Sequence, residues 1–143
     1  MATFSCNDID GFVLDMEEFA RLQESTIENI LQAGAEVVRK AHVSAISSLL
    51  RKTGKLMGSP KVIMKHKGGH PYALIYPQGT HHTYHAKKGS GEAPNAEIGF
   101  VHEFGGHGNP GLAWMQDANE KSAEATTEAE MRVYDRWLNT LKL

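Results

Sequence analysis

The chain has 143 residues, 41% hydrophobic and 8% aromatic, with a formal net charge of −2. That composition can fill one modest core, which excludes wholesale disorder, and the charge excludes a general nucleic-acid binder. No apolar run approaches the roughly 20 residues that span a bilayer, and the lone Cys6 permits no internal disulfide. We therefore expect one domain over 1–143, independent of disulfides and with no membrane partner, in which residues 1–14 are loosely ordered. Met1 to Gly11 carries Asp8 and Asp10 and no basic cluster, so no secretory leader is expected.

Asp15-Met16-Glu17-Glu18 reads as a capping box. Phe19, Leu22, Ile27, Ile30, Leu31, Gly34, Val38, Ala41, Ala45, Ile46 and Leu49 then recur at helical spacing. They predict a helix over about 16–52, on the order of 50 Å long at 1.5 Å per residue. So small a domain cannot cover that length. Part of the stripe, with Ile27, Ile30, Leu31, Val38 and Ala41, is expected to meet a second copy or another partner. Thr53-Gly54-Lys55 stops the helix. Lys61 to His66 reads as a strand, Lys67-Gly68-Gly69-His70 as a turn and Tyr72 to Tyr76 as the returning strand. His81-His82-Thr83-Tyr84-His85 fits a strand, and 86–95, rich in glycine, reads as a mobile loop. Ala96 to Phe104 alternates and reads as the next strand, and Gly105 to Gly111 as a turn. A second helix is expected over about 112–141, on the stripe Met115, Ala118, Ser122, Ala125, Ala129, Val133, Trp137 and Leu141. Trp114 and Trp137 are packing anchors, and Trp114, Lys61 and Lys65 join the residues expected at an interface. The order predicts an α+β domain: an antiparallel sheet of 61–66, 72–76 and 96–104, packed by a long N-terminal helix and a C-terminal helix.

Two stretches invite other readings. His102, Glu103 and His107 suggest a metal-dependent hydrolase, with His81, His82 or His85 as a third ligand. A zinc-protease helix, however, needs its histidines four apart, and here they are five apart with Gly105 and Gly106 between. Ser90 lacks the setting of a nucleophile elbow, and Lys87-Lys88-Gly89-Ser90-Gly91 lacks the ending of a phosphate loop. No catalytic residue, metal ligand or cofactor is therefore expected. The run 51–88 holds Arg51, Lys52, Lys55, Lys61, Lys65, Lys67, Lys87 and Lys88 with no acidic residue. It could serve a small nucleic-acid-binding module or simply be a solvated face.

Three stretches resemble a known family. Thr53-Gly54-Lys55-Leu56-Met57-Gly58-Ser59 before a basic strand resembles its "TGxLxxS" pattern. Ala96 to Gly105, ending Glu103-Phe104-Gly105, resembles its strand closing in "EFG" or "EYG". Pro110, Ala113-Trp114-Met115 and Ala118 are similar to its "PARPFMRPA"-like lead into the last helix, with Gln116 and Asp117 in place of Arg-Pro. The family is the neck or tail-completion proteins of long-tailed double-stranded DNA phages and prophages, also described as minor tail components. The resemblance spans about 15–141. It implies a non-enzymatic virion part at the head–tail junction, made in the host bacterial cytoplasm. Copies would form a ring, with a hexamer expected, while the isolated chain can be a monomer. The ring would join the head connector or adaptor to the tail terminator or tail tube. DNA would pass through its lumen without sequence-specific binding.

Overall fold

A computed structural model of the chain describes residues 24–49, 54–85, 89–106 and 108–141. The capping box, Cys6, the 1–14 segment and His107 lie outside these residues. Helix α1 is Glu24–Leu49, and a single turn, α2, is Gly54–Met57. Strands β1 (Pro60–Lys67) and β2 (His70–Pro77) form one hairpin, and β3 (Thr80–His85) and β4 (Gly89–Pro94) a second. Helix α3 (Asn95–Phe104), the two-residue strands β5 (Gly105–Gly106) and β6 (Asn109–Pro110), and helix α4 (Trp114–Thr140) complete the chain. The fold is α+β with antiparallel pairing, as its periodicities predict.

The first hairpin follows directly from sequence. Lys67 pairs with His70 and Pro60 with Pro77, which leaves Gly68 and Gly69 as a two-residue turn. Their φ values of +59° and +80° suit the turn whose twist matches paired strands, and glycine adopts them without strain. Helices α1 and α4 lie side by side and antiparallel: Gly34 faces Glu130, whereas His42, further along α1, bonds to Asn119, earlier on α4. Small residues permit the approach, with Ala35 on α1 and Ala118, Ser122 and Ala129 on α4 all buried. Helix α1 also packs against both strands of the first hairpin. The core sits at the end where α1 finishes and α4 begins. It is built on Ile46, Leu56 and Trp114, with Ala45, Ile98 and Met115 against them.

Two expectations fail. Residues 96–104 form no strand: Asn95–Phe104 is helix α3. The apolar alternation misleads because Asn95, Gly99 and Glu103, spaced by four, are the buried residues, while Phe100 and Phe104 face out. Among the described residues the pairing is thus three separate two-stranded ribbons and not one sheet holding 96–104. Within the expected loop 86–95, Gly89–Pro94 is strand β4, in register with β3 from Thr80 opposite Pro94 to His85 opposite Gly89. Glycine-rich composition weakens a strand but does not forbid one when a β-rich partner lies alongside.

Candidate functional site

The turn between α3 and α4 concentrates the polar chemistry of the interior. The chain reverses so tightly that Leu112 N donates to His102 O at 2.7 Å and Ala113 N to Glu103 O at 3.1 Å. These bonds satisfy carbonyls that α3 would otherwise leave unpaired at its C-terminus. Gly111 is needed here, since a Cβ would lie 2.7 Å from the Glu103 carbonyl oxygen. Ala113 sits at the head of α4 in the left-handed region, with φ +47°, and offers no side-chain cap. Glu103 supplies that cap from α3. Its carboxylate accepts from Met115 N at 2.5 Å and from Gln116 N at 3.1 Å while only 7% of the residue is exposed. A carboxylate at the positive end of a helix dipole, bonded to free amides, is strongly favoured there.

Trp114 and His42 complete this junction. Trp114 is fully buried, and its indole N–H donates to Gly99 O at 2.9 Å. The His42 ring stands edge-on to Trp114 with centroids 5.3 Å apart. Its Nε2 lies 2.8 Å from Asn119 Oδ1, and its Nδ1 has no partner among the described residues. Burial pushes the His42 pKa below the ordinary imidazole value, against the opposing pulls of the Asn119 bond and the Glu103 charge. The neutral ring that donates through Nε2 is the form this pocket prefers.

The other side of α3 faces solvent. Phe104 is 78% exposed and Phe100 43%, with ring centroids 6.3 Å apart. With Pro94, Ala96, Glu97 and Val101 they line a shallow, almost wholly apolar cleft. Two large exposed aromatic rings on one helix face form a patch of the kind that marks contact surfaces.

The residues singled out from sequence fall in different places. Ile27, Ile30, Leu31, Val38 and Ala41 are all half-buried along α1. Ala41 borders a groove between α1 and α4, shared with Ser48, Asp117 and Lys121. Lys61 and Lys65 are exposed on β1. Trp114, expected at an interface, has no surface to offer a neighbour and is a core residue, because its ring closes the end of the α1–α4 pair. His102 is half-buried, and Glu103, the base a hydrolase would need, is bonded to the amides of α4.

Sequence reasoning missed the exposed Phe100–Phe104 face, whose signal is the i, i+4 spacing of two aromatics. It also missed a cluster on the far side of the molecule. There His66 Nε2 on β1 lies 2.8 Å from Glu24 Oε1 and 2.9 Å from Glu28 Oε1 on α1. No known protein family, curated protein or solved structure matches the chain.

Proposed function

We propose that this chain is a non-enzymatic virion protein of a long-tailed double-stranded DNA phage or prophage, completing the tail or neck at the head–tail junction as a homo-oligomeric ring. The observation that carries the reading is that the three stretches behind the family resemblance meet in one place. Leu56 of the first and Trp114 of the third share one core cluster with Ile46. Gly99 and Glu103 of the second bond to Trp114 Nε1 and to the first amides of α4. Ser59, which closes the first stretch, is buried and donates to Leu56 O at 2.6 Å. The motifs therefore act as parts of one structural joint. That joint holds the Phe100–Phe104 face outward on a rigid base, where it suits contact with a neighbouring copy, the head connector or the tail tube. Glu103 has a structural duty that accounts for it without a reaction.

A complementation assay in the source phage tests this. Deleting the gene should give full heads and free tails, and the wild-type gene should restore joined particles. Intact joining in the deletion would end the assignment. Portal or capsid genes upstream and tail-tube genes downstream are the expected neighbourhood.

The first hairpin favours a second reading, a nucleic-acid surface. Lys61, Lys65 and Lys67 share one face of β1, and their partners on β2 are Tyr76, Tyr72 and His70. As a binding module, the isolated chain should hold duplex DNA with a slope of log K against log salt near −2.7, from about −0.9 per contacted phosphate. The ring reading predicts no measurable affinity for the isolated chain.

A further inference from the structure

We propose that Glu24, Glu28 and His66 form a site for a borderline divalent cation of the zinc class, which clamps the start of α1 to the first hairpin. Glu24 and Glu28 are one helical turn apart, so both carboxylates rise from one side of α1. His66 comes from β1, just before the hairpin turn. One ligand atom from each residue lies within 4.8 Å of the others.

Two features argue for a cation and not only an ion pair. First, both carboxylate oxygens converge on the same ring nitrogen, at 2.8 and 2.9 Å. An imidazole nitrogen carries at most one hydrogen, so it cannot serve both oxygens well. A metal ion bound to the Nε2 lone pair would satisfy all three groups at once. Second, the two lysines that flank His66 on β1 are turned away. Lys65 and Lys67 flank His66 in sequence, but strand alternation sends them to the opposite face of β1. Among the described residues, the ion pairs of Glu24 and Glu28 are with His66 alone. An exposed pair of that kind contributes little by itself.

One nitrogen and two carboxylates suit zinc, which takes such ligands at about 2.0–2.2 Å. Around a tetrahedral ion, ligand atoms lie about 3.3 Å apart, so each carboxylate oxygen needs to move away from the His66 nitrogen by roughly half an ångström. The side chains are 63%, 38% and 45% exposed for Glu24, Glu28 and His66, and that movement is free to them. The fourth position is left to water or to a group from a neighbouring copy. The site is independent of the phage reading, and its failure would leave that reading untouched.

The test is calorimetric titration of zinc chloride into the purified 143-residue chain after chelator treatment, near pH 7.5. One ion per chain should bind. Glu28→Gln and His66→Gln should each weaken it by more than tenfold, since even loss of a group that only supports a metal ligand costs roughly 10–100-fold. Circular dichroism should show both variants folded, as expected for exposed positions. Cobalt should give a visible absorption band that His66→Gln removes. A variant with His81, His82 and His85 changed to Ala should retain the site, and magnesium should not displace zinc. Absence of binding, binding unchanged in both ligand variants, binding lost in the triple histidine variant, or displacement by magnesium would each overturn the proposal.

Discussion

The two sides of helix α3 reverse the usual arrangement of a surface helix. Its inner side carries Asn95, Gly99 and Glu103, all buried, and its outer side carries Phe100 and Phe104, both exposed. Beside the packing of Ile98 on the core, the inner side is held by directional bonds. Asn95 N donates to Gly79 O at 2.8 Å, and Asn95 Nδ2 to Gln78 O at 2.7 Å. Gly99 accepts from Trp114, and Glu103 from the amides of α4. The outer side is mostly exposed, with Phe104 at 78% and Phe100 at 43%. Polar groups can face inward when every one finds a partner, and the apolar face is then free for other uses. A helix fixed by hydrogen bonds in this way has a set orientation, which a contact surface requires.

The comparison breaks most readily at Trp114. Trp114→Ala removes the largest buried side chain and leaves Gly99 O without its donor. A loss of about 3–5 kcal/mol is expected in denaturant unfolding, and a loss below about 1 kcal/mol would show that the core lies elsewhere. Glu103→Ala comes next. It strips the cap from α4 while Ala113 stays in its left-handed conformation, for a loss of about 1.5–3 kcal/mol. Glu103→Gln keeps one acceptor and should recover part of it. Equal losses for Ala and Gln would mean that the charge, not the acceptor, matters.

His42 tests the same junction through pH. Its folded pKa lies below the unfolded value, so its contribution is fully present above the unfolded pKa. As pH falls through that value the unfolded chain gains a proton the folded chain resists, and stability drops until the folded pKa is passed. The chain should therefore be less stable at pH 5 than at pH 8, and the slope over that range should flatten in His42→Gln. An unchanged slope would assign the pH dependence to other groups. The smallest effect on stability is expected on the outer side. Phe104→Asp should shift unfolding by less than about 0.5 kcal/mol, and, if the proposed neck role holds, it should still abolish head–tail joining in complementation. Infectious particles from that variant would show the face makes no essential contact.

Legibility in the sequence divides along the same line. The long helices were readable because apolar and small residues recur at helical spacing over many turns, from Ile27 to Leu49 and from Met115 to Trp137. The first hairpin was readable because Gly68-Gly69 specifies its own turn between two β-rich runs. Residues 96–104 were misread because Ile98, Phe100, His102 and Phe104 alternate as a strand would. The ten-residue helix they belong to buries polar groups whose partners lie elsewhere in the chain. Strand β4 was missed because its pairing with β3 comes from the partner's register, not its own composition.

The two long helices, the Gly68-Gly69 hairpin and the α+β class follow from local sequence. Each depends on periodicity or turn chemistry within a short window, and backbone geometry enforces both without distant help. The remaining features come from contacts between distant segments. The fold made Glu103 a cap for a helix that begins eleven positions later, at Trp114. It set Trp114 in the core and not at an interface. It brought His66 against Glu24 and Glu28. A side chain's role depends on which unsatisfied donor, acceptor or charge the fold places within about 3 Å of it, and linear spacing carries no record of that distance.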